Sequence, residues 1–369
     1  MLENWLSPLK KSDLLSKNFQ SDQLGPSIGK HTTRGGMPNL EEIQIALVGL
    51  SAATADPIRS CFYTFKDHFP NVSIVDLGNL RKPGLDFSIG ALAEIRATGM
   101  LPVLIGNDLP FAQALYRALR MNFASINMVI VDERVPLDPD QLENPEYYMN
   151  PIALSGDSRI FQLGLIGYQR HFLAPRIQQF IQDQHYDILR LGAATQQLSE
   201  TEPIIRNADL FGINIAALRS DQMPGALRPS PSGFSVEEAC QMSYYAGISD
   251  KLKGLYLLGY EPGQDQRGQS AMAMAEMLWY FVDGFHQRKG DYPASTDGLT
   301  EYIVELKRYD YQLTFWKSKF SGRWWIQVPV KVRQRDMRHR LIPCSYEDYK
   351  LATKDELPDR LINAFKRFA

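Results

Sequence analysis

The sequence predicts an α/β protein with a mainly parallel sheet sandwiched between helices, three layers in all, followed by a small α+β extension. Three observations carry this expectation. Seven short apolar runs recur between residues 43 and 262, and amphipathic stretches of helix length separate them. Strands buried on both faces read as near-continuous apolar runs, and their alternation with helices is what parallel βαβ connections require. The third is a change of texture and charge after about residue 290. Residues 301–369 hold fifteen Lys and Arg against nine Asp and Glu, whereas the remainder is acidic.

Taken in order, residues 1–40 are polar and rich in Gly, Ser and Lys, and read as an N-terminal arm. Trp5, Leu6 and Leu9 share a face there only if a short helix forms. The α/β domain is expected over 41–290. Its strands are IQIALVGL (43–50), VSIVDLG (72–78), LPVLIG (101–106), INMVIVD (126–132), IFQLGLIG (160–167), LFGINIAAL (210–218) and GLYLLGYEP (254–262). Its helices are expected over 56–69, 86–99, 110–123, 175–186, 235–248 and 270–287. Over 291–369, YQLTFWKSKFSGRWWIQVPV (311–330) reads as a hairpin, with two aromatic β-rich segments flanking Lys319–Gly322. The basic stretch 331–340 follows. One or two helices come last, with Ser345 and Asp348 in capping-box spacing and Pro358 at a helix start.

Composition narrows the function classes. A chain of 369 residues with 44% hydrophobic and 22% charged content supports a sizeable core and is unlike a disordered chain. The net charge of −2 argues against a globally polybasic nucleic-acid binder. Three cysteines, far apart and without CxxC, predict reduced core thiols rather than a disulfide framework or a cysteine-built zinc site. No run reaches the roughly 20 apolar residues of a membrane span, and the N-terminus lacks a signal-peptide core. A cytoplasmic location is expected.

Several familiar sites fail on inspection. Gly25-Pro-Ser-Ile-Gly29-Lys30-His31 is one residue short of a P-loop, follows no strand and lacks the magnesium-binding hydroxyl. No GxGxxG follows the first strand, and no GxSxG is present. The six histidines are scattered without HExxH or HxH, so a histidine-built metal centre would have to assemble from distant positions.

The strand ends are more specific, because parallel α/β sheets bind ligands at their carboxyl ends. LPVLIG is followed by Asn107-Asp108-Leu109-Pro110 and a helix, and MVIV by Asp132-Glu133-Arg134-Val135-Pro136. Asn214-Ile215-Ala216 is followed by Pro224-Gly225, and Gly259-Tyr260-Glu261-Pro262 by Gly268-Gln269-Ser270-Ala271. Together with Asp56-Pro57-Ile58-Arg59, these segments resemble the ureohydrolase family of arginase, agmatinase and formiminoglutamase over about 40–290. In particular they resemble a formiminoglutamase-like subgroup with a C-terminal extension. The matching family segments are Gly-Gly-Asp-His-Ser, Asp-Ala-His-x-Asp, Asp-x-Asp with a later Pro-Gly, and Glu-x-Asn-Pro.

The resemblance implies an arginase-like fold, oligomerisation, and hydrolysis of a C–N bond by a hydroxide held between two manganese ions, which lower the pKa of bound water. Two dications need several carboxylates and imidazoles. Carried over residue by residue, the ligands fall at Leu109, Asp132, Arg134, Pro136, Asn214 and Ala216, and the substrate-contacting glutamate at Gly259, beside Glu261. One ligand of six, Asp132, remains. No metal or other cofactor is therefore expected, and manganese, though expected for the family, lacks its ligands.

The leading expectation is a ureohydrolase fold without its binuclear site, acting as a structural, regulatory or assembly component through an unidentified protein partner or as a homo-oligomer. An alternative is an amidine C–N hydrolase with a site rebuilt around Asp108, Asp132, Arg134 and Glu261. A third is a sensor of an anionic or amino-acid ligand using Arg134. In the vestigial pocket, Arg134 is expected to pair with Asp132 or Asp108. Trp316, Trp324 and Trp325, with Arg323 among them, are candidates for a partner surface, the competing reading being that they pack the hairpin onto the main domain.

Overall fold

The computed structural model describes residues 2–10, 13–16, 18–156, 158–328 and 339–368. Its strands are β1 (Leu6–Ser7), β2 (Gly29–Lys30), β3 (Ile45–Gly49), β4 (Ile74–Leu80), β5 (Leu101–Ile105), β6 (Ile126–Val131) and β7 (Ile160–Tyr168). β8 (Asp187–Arg190), β9 (Leu210–Asn214) and β10 (Gly254–Leu258) complete a ten-stranded sheet. The order across it is β1-β4-β3-β5-β10-β9-β6-β7-β8, with β2 also on β4. Every pairing is parallel except the short β1 on β4.

The period of two along each strand divides the core into two layers. Ile45 and Leu47 of β3, Leu101 and Val103 of β5, and Val129 and Val131 of β6 face one cluster. Ala46 and Val48, Leu104, and Met128 and Ile130 face the other. Helices Ala52–Phe62, Val236–Gly247 and Gln269–His286 cover the first face. Leu85–Ala97 and Phe111–Arg120 cover the second. All seven expected strands are present, and the six expected helices are found with shifted boundaries, most of all the first, which is expected over 56–69 and runs Ala52–Phe62.

Some expectations are corrected. Trp5, Leu6 and Leu9 do not share a helix: Leu6–Ser7 is β1, and Trp5 packs against Phe87 and donates to Glu94 at 2.6 Å. Leu6, Leu9, Leu24, Ile28 and His31 are buried, and Lys30 bonds the Gly25 and Ile28 carbonyls. β8, at the sheet edge, gave no sequence signal because its side chains are only half-buried and its run is four residues long.

The extension is a second, antiparallel sheet: β11 (Leu299–Leu306), β12 (Tyr311–Ser318), β13 (Trp324–Gln327) and β14 (Leu341–Cys344), in that order. β12 and β13 are the expected hairpin arms. Helices Tyr346–Thr353 and Asp359–Phe368 cover the sheet, and both bonds of the Ser345–Asp348 capping box are formed. Of the basic stretch 331–340, residues 331–338 lie outside the described residues.

The extension is held to the main body through charged side chains. Arg206, fully desolvated, donates to the carbonyls of Trp324 and Cys344 and lies 4.4 Å from the Trp325 ring. Arg360 pairs with Glu200 at 2.8 Å, and Arg367 with Asp187 at 3.4 Å. Among the described residues no helix is long and apolar enough to cross a membrane. The three cysteines form no disulfide.

Candidate functional site

The four central strands β5, β10, β9 and β6 end side by side, which gathers the loops 106–110, 259–265, 214–218 and 132–136 at one edge of the sheet. Asp132 follows β6 directly. Its backbone N–H continues the ladder to Ile166 and its carboxylate is 2% exposed. Both oxygens are committed. Oδ2 accepts from Asn214 Nδ2 at 3.0 Å and from the Tyr148 hydroxyl at 3.2 Å, and Oδ1 accepts from the Arg134 backbone N–H at 3.2 Å. Burial pushes the Asp132 carboxyl upward, and the Asn214 and Arg134 hydrogen bonds, Arg228 and Tyr148 oppose the shift.

Asn214 closes β9 and is equally occupied. Its Oδ1 accepts from the Ala216 N–H at 3.1 Å, capping the short turn that follows. Gly259 explains itself beside it. Its φ of +94° lies where glycine is favoured, and a Cβ there would meet Asn214 Oδ1 at 2.6 Å. A glutamate at that position is thus incompatible with Asn214 as placed. On the same strand, Gly212 leaves the space that the Tyr256 ring fills.

Arg134 does not pair with Asp132 or Asp108 through its side chain, which corrects the expectation. Its guanidinium reaches Glu133 at 3.5 Å and Glu146 at 3.9 Å and stacks 4.4 Å over Phe172. The cause is local geometry: the turn after Asp132 spends the Arg134 backbone N–H on Asp132 and sends its side chain toward the loop 144–148. Arg228 completes the cluster, 3.4 Å from Glu133 and 3.0 Å from Glu146. Burial raises the Glu133 carboxyl to about 7, helped by Asp132 and opposed by Arg228 and Arg134. Two residues beyond Tyr148, the Asn150 side chain bonds the backbone of Asp138 and Gln141.

The other expected residues lie apart from this network. Asp108 is exposed and without a side-chain partner among the described residues, so the Asp108–Asp132 dyad is not formed. Leu109 is half-buried against the second core layer, and Ala216 is buried in the first. Glu261 accepts from the Gly263 N–H at 3.2 Å and caps a turn. Trp324 and Trp325 are buried inside the chain, the former stacked on Tyr349 and the latter under Arg206. Trp316 is half-buried and donates to Gln327, and Arg323 is spent on Asp291 at 2.7 Å. The buried rings therefore offer no surface to a partner.

Tyr148, Glu146, Arg228 and Glu133 were not singled out from the sequence. The first three sit in irregular segments with no periodicity, and only the adjacency of Glu133 to Asp132 was a usable signal.

Two manganese ions, as the family resemblance implies, do not fit these residues. Leu109, Pro136 and Ala216 offer no side-chain donor, the Asn214 amide is used at both ends, and Arg134 brings a fixed positive charge. Only Asp132 offers a carboxylate, and both its oxygens already accept hydrogen bonds. Among the described residues no group of three or more His, Cys, Asp or Glu side chains could hold a metal ion.

Comparison with solved structures agrees on the architecture. The formiminoglutamase of Trypanosoma cruzi with Mn2+ superposes with a TM-score of 0.60 at 16% identity, over 68% of this chain and 96% of that one. The formimidoylglutamase of Bacillus subtilis gives 0.64 at 12% identity, over 76% and 97%. The arginase of Bacillus cereus gives 0.54 at 12%, over 65% and 98%. No protein-family model and no curated protein sequence matches the chain. The chain has the arginase-like ureohydrolase fold.

Proposed function

We propose that this arginase-like chain is a non-hydrolytic form of the fold, a structural or regulatory component that acts through protein contacts. One observation carries the reading: Asp132, the only carboxylate at the six corresponding ligand positions, has both oxygens hydrogen-bonded inside the protein. A metal ion would have to displace Asn214 and Tyr148 and tolerate the Arg134 cation nearby. The partner is another protein or further copies of the chain, in the cytoplasm.

The test is turnover. The purified chain, supplied with manganese, is assayed for hydrolysis of formiminoglutamate, arginine and agmatine beside an Asp132→Ala variant. The reading expects both to stay at the uncatalysed background. Hydrolysis that Asp132→Ala abolishes would return the chain to the hydrolases and support the rebuilt-site alternative.

One observation favours a second reading, a sensor of an anionic or amino-acid ligand at the same cleft. Arg134 Nε and Glu133 Oε1 are both buried without a hydrogen bond, although their side chains approach within 3.5 Å. Buried polar groups left this way call for a partner. This reading expects thermal stabilisation by a small carboxylate that Arg134→Ala abolishes.

A further inference from the structure

A small cavity of about 200 Å3 opens on the first face of the main body, where helix Gln269–His286 passes the loop that follows helix Ala52–Phe62. Its lining is Phe65, Lys66, Glu276, Trp279 and Tyr280. The sequence brings three of these together. Glu276, Trp279 and Tyr280 stand at i, i+3 and i+4 of one helix and therefore share a face. None of the five belongs to the strand-end cleft. The volume suits one headgroup rather than a whole drug-sized ligand.

Two independent features of this lining call for a cation. The first is aromatic. The Trp279 and Tyr280 rings lie 5.3 Å apart at 82°, two walls of a corner, and Phe65 adds a third ring. Trp279 is fixed there: its Nε1–H donates to the Lys66 carbonyl at 2.9 Å, and its ring packs on Phe69 at 5.2 Å. Tyr280 keeps 42% of its surface open to solvent. The electron-rich face of such rings attracts a cation. The second feature is charge. The Glu276 carboxylate is half-buried and has no hydrogen-bond or ion-pair partner among the described residues. Burial, and then the like charge of Glu237 on the neighbouring helix, push its carboxyl upward. Lys66 does not supply the missing charge, because its ammonium is spent on Asp22 at 2.6 Å and Gln20 at 2.9 Å.

We propose that this cavity binds the quaternary ammonium group of a small organic cation. The methyl groups lie against the Trp279, Tyr280 and Phe65 rings, and the positive charge faces Glu276. A quaternary ammonium has no N–H to strip of water, so walls of rings that accept few hydrogen bonds suit it better than a primary ammonium. The Glu276 and Glu237 carboxylates disfavour a ligand that carries its own carboxylate beside the ammonium. The inference is independent of the cleft and stands whichever reading of the cleft is correct.

The experiment is calorimetric titration of the full chain with three probes. They are choline, 3,3-dimethylbutan-1-ol, which has the same shape with a neutral carbon in place of the charged nitrogen, and ethanolamine, which lacks the methyl groups. The proposal expects saturable binding of choline, with each analogue weaker by about five-fold or more, the size of a cation–π contribution in a half-open site. Two variants locate the site. Glu276→Gln keeps the shape of the side chain and removes its charge, and Tyr280→Leu keeps an apolar cover and removes the ring face. Each should weaken choline by about three-fold or more. Absence of saturable choline binding at millimolar concentration overturns the proposal. A neutral isostere that binds as tightly as choline, or two variants that both bind choline as tightly as the parent, overturns it as well.

Discussion

Arg59 shows how strongly single side chains are fixed in this protein. It is fully buried on the helix Ala52–Phe62 and bonds Asp76 through Nε at 2.7 Å, with Asn79, Asp56 and the Gly78 carbonyl taking its other donors. Tyr63 donates to the same Asp76 carboxylate at 2.7 Å. Removing one member leaves an uncompensated buried charge, so Arg59→Leu should destabilise the protein by about 3–5 kcal/mol, read from the denaturant midpoint. The double variant Arg59→Leu/Asp76→Leu should recover much of that loss, and a double variant no better than the single one would contradict the account. Lys251 is another buried titratable side chain. It is held by Asn207 at 2.7 Å and His339 at 3.1 Å, and burial, reinforced by Arg367, pushes its amine well below the ordinary 10.5. A depressed amine gives up its proton at lower pH in the folded chain than in the unfolded one. Its contribution therefore favours folding least at low pH, and improves as pH rises from the folded pKa toward 10.5. The stability of the parent minus that of Lys251→Met should rise between pH 7 and pH 10, and a flat difference would show that the amine stays charged.

At the scale of elements, caps and clamps decide where the chain turns. Helix Val236–Gly247 begins with a complete capping box between Ser235 and Glu238, so Ser235→Ala should cost about 1 kcal/mol in the same denaturant assay. Arg206 is the clamp on the extension, donating to two strand carbonyls there and lying against Trp325. Arg206→Ala should raise amide exchange across β13 and β14 more than across β6, and uniform change would place the clamp elsewhere. Much of this level was legible beforehand. The long apolar runs are strands because only fully buried strands can be apolar on both faces, and Ser345 with Asp348 marked its helix start. β8 and β1 were hidden because edge strands of two to four residues carry too little pattern. The cleft was legible only in part. Asp132 was identified from its strand end, but its real partners, Tyr148 and Asn214, are set by tertiary packing, and the direction of the Arg134 side chain depends on a turn that spacing does not encode.

For the whole molecule, an arginase-like sheet with a two-layer core carries at its central strand ends a polar network in which Asp132 and Asn214 are held by internal hydrogen bonds. The basic extension is fastened to the acidic body by ion pairs such as Arg360–Glu200 and Arg367–Asp187. The residues of the cleft do not fit two metal ions, and counting bound metal tests this most directly. The purified chain is incubated with manganese, desalted and measured by elemental mass spectrometry. The account predicts a manganese content near zero per chain. A content near two per chain would contradict it, because the strand ends would then have to release Asp132 and recruit donors that their residues do not supply.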